Sequence, residues 1–287
     1  QAEPMEKTWI GRQKWLKLPF LRGSWALLDA MALGIKSLRF ASNVQLDPVY
    51  AKPEDAATQK PVNKKIQDAS VAGAMIVGLA LGFVLFNFLP NLLAEQTRNA
   101  GVRNGTVINL ITETVKIIFF LGYIYLISLM PEIKRLFMYH GAEHKAINTM
   151  EAGQELTLEN CRAQTRLHPR CGTSFAIVVF IVSFILFTFV PRYPLGENNP
   201  MIVNVLVRVG LELLILPLIA GISYEAIRIA GKFRDTRLIN FLFAPGLATQ
   251  LITTKEPEDD QIEVAILSLK LVIDAEQAET GTEPVHA

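Results

Sequence analysis

The chain has 287 residues, 51% hydrophobic and only 19% charged, and its 28 Lys and Arg against 27 Asp and Glu leave a formal net charge of +1. A near-neutral balance argues against a nucleic-acid binder and against an acid-rich solvating chain, so no nucleic-acid partner is expected. The low charge content also argues against an ordinary soluble enzyme, in which about a quarter of the residues are charged.

Residues 1–70 read as a basic, aromatic N-terminal region. Trp9, Trp15, Phe20 and Trp25 alternate with Arg12, Lys14, Lys17 and Arg22, a composition typical of a membrane interface. Gly23–Phe40 is apolar but carries Asp29, Lys36 and Arg39. It is too short and too charged to span a bilayer and is expected as an interfacial or re-entrant helix, with a soluble amphipathic helix as the alternative. Gln45–Lys65, with Pro48, Pro53 and Pro61, reads as a linker.

Four stretches are long and apolar enough to cross about 30 Å of hydrocarbon as helices. Val71–Leu93 and Val107–Met130 fall within residues 71–131, and Thr173–Val190 and Met201–Tyr224 fall within 173–224. The fold class expected is all-α: a polytopic membrane protein with four transmembrane helices plus the N-terminal helix. Four buried helices of a soluble bundle are the weaker alternative, because such helices show a polar stripe that these lack. Basic residues are concentrated before the first span, between spans two and three, and after span four, while the other two connectors hold only Arg98, Arg103 and Arg192. Basic loops remain on the cytoplasmic side, so both termini and the middle loop are expected in the cytoplasm or plastid stroma, with the spans in a bacterial cytoplasmic or plastid membrane.

Two spans carry charges, Glu113 and Lys116 in the second, Arg208 and Glu212 in the fourth. Charged groups in hydrocarbon require partners, and two arrangements are open: pairing across spans, Glu113 with Arg208 and Lys116 with Glu212, or local i,i+3 and i,i+4 pairing within each helix.

The loop of residues 132–172 holds three of the four histidines, His140, His144 and His168, and both cysteines, Cys161 and Cys171. His140-Gly-Ala-Glu143-His144 places two imidazoles on one helical face with a carboxylate between them, the H-x-x-E-H pattern in which the histidines bind zinc and the glutamate acts as general base. His168-Pro-Arg-Cys171 adds an imidazole and a thiolate. His140, His144, His168 and Cys171 are thus the expected metal ligands. Zinc suits mixed imidazole and thiolate ligation, with Fe²⁺ or another divalent ion as the alternative. Capping and headgroup hydrogen bonding by the histidines is the non-metal reading. A helix stop is expected at Glu151-Ala-Gly153 and a second helical start near Thr157. Glu225 and Arg170 are candidates to support the ligands from behind. In residues 225–287, Glu225–Lys232 continues the fourth span, Pro245-Gly246 breaks the chain, Gln261–Ile273 is amphipathic, and the acidic tail after Asp274 reads as disordered.

Tyr139-His-Gly-Ala-Glu-His-Lys145, Leu167-His-Pro-Arg-Cys-Gly-Thr-Ser-Phe175, Ala220-Gly-Ile-Ser-Tyr-Glu225, Ala244-Pro-Gly246 and Thr253-Thr-Lys-Glu-Pro257 resemble the YqhQ-like family over about residues 14–272. That family comprises bacterial and plastid membrane proteins of unresolved function, described by prediction as metal-dependent enzymes. The resemblance implies that His140, Glu143, His144, His168 and Cys171 are the shared polar set, and it gives Cys161 no such support. The chain departs from the family at its start, where a Gly-rich segment with an Ala-Val-Ile-Glu-Gly-Val-Met-Met string is replaced by unrelated residues.

Two functional expectations result. One is a metal-dependent hydrolase at the cytoplasmic membrane interface with Glu143 as general base. The other is a non-catalytic scaffold or assembly factor, stapled by its metal, acting within a membrane protein complex or homo-oligomer and in contact with lipid.

Overall fold

The computed structural model describes residues 21–46, 64–169, 171–196, 198–232 and 237–280, and every regular element among them is helical. In chain order these are α1 (Leu21–Leu46), α2 (Lys64–Phe83), a π-helical turn (Val84–Phe88), α3 (Leu89–Asn99), α4 (Gly105–Ile127), α5 (Pro131–Glu151), α6 (Leu158–Ala163), α7 (Gly172–Thr188), α8 (Met201–Lys232), α9 (Arg237–Thr253) and α10 (Asp259–Thr280). Three helical stretches are long and apolar enough to cross a membrane: Ala72–Arg98, Gly105–Ile127 and Ile202–Ile229. Their surfaces support a lipid environment. Ile76, Leu79, Ile118, Leu126 and Leu214 are exposed, whereas Glu113, Lys116, Arg208 and Glu212 are buried, the reverse of a water-facing helix.

Several expectations need correction. The third apolar stretch forms a helix of 17 residues, Gly172–Thr188, not the 18 of Thr173–Val190. Phe189 and Val190 follow it in a tightened last turn, their N–H groups donating to the Leu186 and Phe187 carbonyls three residues back. At 1.5 Å per residue it reaches about 26 Å, at the lower limit of what crosses a bilayer, so it is not among the three long stretches. The N-terminal helix continues past Phe40 to Leu46 without a re-entrant turn, and residues 47–63 of the expected linker lie outside the described residues. Pro245-Gly246 does not break the chain: α9 runs through Pro245, and buried Gly246 brings it so close to Ser174 that a Cβ would sit 3.2 Å away. The acidic segment after Asp274 is helical to Thr280.

The described residues divide into two compact units, one built from those within 117–185 and 223–280, the other from those within 21–116 and 186–222. In the first, α5 begins with Pro131 at its first turn, where the missing N–H costs nothing, and Glu132 faces the positive helix end. It ends as expected. Gly153 takes φ +66°, its N–H donates to Met150 O, and Gln154 N–H reaches Thr149 O, closing the last turn. Thr157 then caps α6 by accepting from Asn160 N–H. Ala142 and Ala146 of α5, Cys161 of α6 and Ile262 of α10 form the buried core of this unit.

In the second unit the break in α-helical register at Val84–Phe88 has a local cause. Leu89 N–H donates to Val84 O, one residue further back than an α-helix requires, and the following Pro90 has no N–H to offer. Asn87 lies in this turn and donates to Glu212 Oε2 at 3.3 Å.

Candidate metal centre and a buried charge network

His140 and His144 stand one turn apart on α5, with ring centroids 4.4 Å apart. The N–H on His140 Nδ1 donates to Thr253 O at 2.8 Å, and that on His144 Nδ1 donates to Arg166 O at 2.6 Å. Both acceptors are carbonyls, so each ring carries a proton on Nδ1, and Nε2 is the nitrogen left for other partners. His140 Nε2 lies 3.2 Å from Cys171 Sγ. One ligand atom each from His140, His144 and Cys171 falls within 4.8 Å of the others.

Gly141 makes this geometry accessible. A Cβ there would lie 2.2 Å from Lys255 O, so only glycine lets the Thr253–Pro257 segment lie against α5 and bring the Thr253 carbonyl to His140. Lys255 N–H donates to Phe137 O in the same contact. Lys145, buried, donates to Arg162 O and Gln164 O and pairs with Glu256 at 2.8 Å, which ties the loop after α6 to α5.

Cys171 precedes the first residue of α7, where a negative sulfur is favoured by the helix end. Burial alone would raise its thiol, but hydrogen bonds with His140, His144 and Thr173 outweigh it and bring the value down to about 5. That shift favours the thiolate over the thiol at neutral pH. The hydrogen bond with Cys171 correspondingly raises His140 above the usual imidazole range, against the opposing effect of burial.

The remaining expected site residues are placed differently. His168 is buried beside the cluster, its ring 5.7 Å from that of His144, but its Nε2 faces Glu151 Oε1 at 3.3 Å. Its backbone is clamped at both ends by Gln250, which accepts from His168 N–H and donates to His168 O. Glu143 is exposed on α5 and lines a cleft with α10. Glu225 is half-buried on α8, and Arg170 lies outside the described residues. Cys161 is buried in the core, where it accepts from Thr149 Oγ1 at 3.3 Å, and both cysteines are free. Sequence reasoning gave Glu151 only to a helix stop, had Gly141 and Thr253 only inside the motifs that carry the family resemblance, and missed Gln250, whose signal was a lone glutamine within the apolar Gly246–Thr253 run.

The four intramembrane charges come together in the second unit, and both pairing patterns occur at once. Lys116 Nζ meets Glu113 Oε1 at 3.0 Å in its own helix and Glu212 Oε2 at 3.2 Å across helices. Arg208 Nε meets Glu212 Oε1 at 2.9 Å, and its Nη2 stands 3.9 Å from Glu113. Arg208 also donates to Asn109, whose amide in turn donates to the Thr188 and Val190 carbonyls at the end of α7. A second cluster adjoins it: buried Arg192 donates to Asn91 and Thr112 and pairs with Glu95 at 3.3 Å, while Tyr193 donates to Glu95 and lies under Arg98.

Fold and site define an all-helical, membrane-associated protein with a buried His₂Cys cluster. The comparisons specify the family. Residues 18–275 match the family described as protein of unknown function DUF1385. The chain is 39% identical over 275 residues to the uncharacterized protein YqhQ of Bacillus subtilis (strain 168), covering 94% of this chain and 82% of that one. The chain therefore belongs to the DUF1385, YqhQ-like family, in agreement with the resemblance carried by its motifs. No solved structure matches it.

Proposed function

We propose that this protein is an integral membrane metalloprotein in which His140, His144 and Cys171 hold a zinc ion. The observation that carries the reading is the orientation of the two imidazoles: each gives its Nδ1 proton to a backbone carbonyl, which leaves both Nε2 atoms as the ones available to a metal beside Cys171. Two imidazole nitrogens and one cysteine sulfur are the donor set zinc takes as it displaces their protons, with Fe²⁺ the alternative. Three protein ligands leave one position open, as in catalytic rather than structural zinc sites. Bound there, the metal would supply Lewis acidity for hydrolysis.

Glu143 is the general base in this reading. It is the carboxylate between the two histidines, and its exposure on the cleft gives a substrate access to it. His168, held by Glu151, supports the ligands from outside the set. The four-span topology belongs to the same proposal, with α7 crossing together with Phe189 and Val190, and with the site and both termini on the cytoplasmic or stromal side. A scaffold reading has its own support: the cluster ties α5, the loop at Arg166 and the segment at Thr253 together, as a staple would.

Elemental analysis of the purified protein tests both. Stoichiometric metal is expected, lost on His140→Ala or Cys171→Ser and retained, with weaker affinity, in His168→Ala. Metal-free wild type would sink both readings. Glu143→Gln then separates them: metal retained with cellular function lost supports catalysis, and metal retained with function intact leaves the scaffold.

A further inference from the structure

Of the residues in the proposed metal reading, only Glu143 lines the cleft between α5 and α10, so a polypeptide docked there would reach that carboxylate. The cleft encloses about 340 Å³ and is lined mostly by apolar groups. Small residues, Ala146, Ala265 and Ser268, give it depth, between Tyr139 and Ile147 on one side and Val272 on the other. Helix α10 already satisfies its core duty with a different face, packing Ile262, Ile266 and Leu269 against Ala142 and Ala146. Yet a second apolar face remains uncovered: Val264, Leu267 and Leu271 are 49%, 62% and 48% exposed, and their i, i+3, i+7 spacing makes one stripe along the cleft's edge.

The charges around this stripe identify what can cover it. Helix α10 carries exposed Asp260, Glu263, Asp274 and Glu276 against Lys270, with Asp259 paired to Arg162. Exposed Glu143 of α5 lines the cleft itself, while the exposed cations of α5, Lys134 and Arg135, stand before Tyr139 and outside its lining. Helices that rest on a membrane surface carry Lys and Arg on their polar face, because the cytoplasmic leaflet is anionic, so an acidic rim is repelled from it. A basic partner is attracted, and a groove between two helices with apolar anchor points is the form that receives an amphipathic helix.

We propose that the α5–α10 cleft docks an amphipathic helix of a partner protein, apolar along one face and flanked by Lys and Arg. The apolar face covers Val264, Leu267 and Leu271, its anchors enter the cleft over Ser268, and its cations meet Glu263 and Asp274. This holds whether or not the neighbouring cluster carries a metal.

The test uses the full chain in nanodiscs of zwitterionic phosphatidylcholine and a fluorescent synthetic helix of leucine and lysine, with leucines at helical spacing. Fluorescence anisotropy should show binding above that of empty nanodiscs, weakened by salt, and the same pattern built from leucine and glutamate should not bind. Ser268→Trp, which fills the cleft, and the double reversal Glu263→Lys with Asp274→Lys should each weaken binding about tenfold or more. The reversals lie on exposed positions, so they keep the test decisive if the tryptophan variant fails to fold. Equal signal from empty nanodiscs, equal binding of the glutamate helix, or unchanged affinity in the reversal variant would overturn the proposal; the first of these would mean that lipid covers the face.

Discussion

Both units of this protein bury polar side chains, but they satisfy them in opposite ways. In the second unit, two carboxylates and two cations neutralise one another: Glu113, Lys116, Arg208 and Glu212 are each at most 6% exposed, and every one has an oppositely charged partner within 4 Å. Asn87 and Asn109 add hydrogen bonds to Glu212 and Arg208, and Arg208 Nη2 is left with only the 3.9 Å ion pair to Glu113. In the first unit, one ligand-type atom each from His140, His144 and Cys171 gathers within 4.8 Å of the others, with His140 Nε2 3.2 Å from Cys171 Sγ. The difference teaches how burial separates structure from function. Charges that pair with one another stabilise buried helices, whereas side chains of the metal-binding types that converge on a point are what the proposed metal reading rests on.

The largest effect is expected where the closed network is broken. Glu212 receives Arg208, Lys116 and Asn87, while Glu113 has Lys116 and the more distant Arg208. Glu212→Leu should therefore cost about 3–5 kcal/mol by leaving cations buried and unmatched. Thermal unfolding in detergent should show Glu113→Leu to be milder, and metal content should be unchanged in both. Equal losses would mean that the network is not centred on Glu212.

Gly141→Ala breaks the first unit instead. Its methyl would overlap Lys255 O and push the Thr253 carbonyl from His140. The expected cost is about 1–3 kcal/mol from overpacking and about tenfold in metal affinity from the lost orientation of the imidazole. Calorimetry and metal titration read these two effects separately. A variant with wild-type affinity would show that the Thr253 contact does not orient the ligand.

The smallest effect is pH-dependent. The Cys171 thiol falls from the ordinary range near 8.5 to about 5 on folding. A depressed acid contributes stability that is present above its unfolded value and is lost as pH falls toward its folded value. In chelator-treated protein, the stability difference between wild type and Cys171→Ser should accordingly shrink from about pH 8.5 down to about pH 5. Unfolding curves across that range check the sign, and a difference that grows on acidification would refute a native thiolate.

Much of this division was legible in the residues. Charge-free runs marked the long apolar helices, Gly153 and Thr157 marked the helix stop and restart, and the i,i+4 spacing of His140 and His144 put two imidazoles on one face. The local pairs Glu113–Lys116 and Arg208–Glu212 follow from spacing as well. His168 shows where such reading ends. Its closeness in sequence to Cys171 made it an expected ligand, yet Glu151 and Gln250 hold its side chain and backbone apart from the cluster. Pro245 is similar, because a proline that reads as a stop was absorbed into α9.

The sequence by itself determined the periodic and compositional properties: helical class, apolar lengths, capping signals and the presence of metal-binding residue types. These depend on neighbours within a few positions, where backbone geometry is nearly constant. Only the tertiary structure decided which histidine nitrogen is free, that Lys116 reaches Glu212, and that Gly141 admits the chain from Thr253. Those outcomes depend on contacts between residues about a hundred positions apart, for which local spacing holds no information.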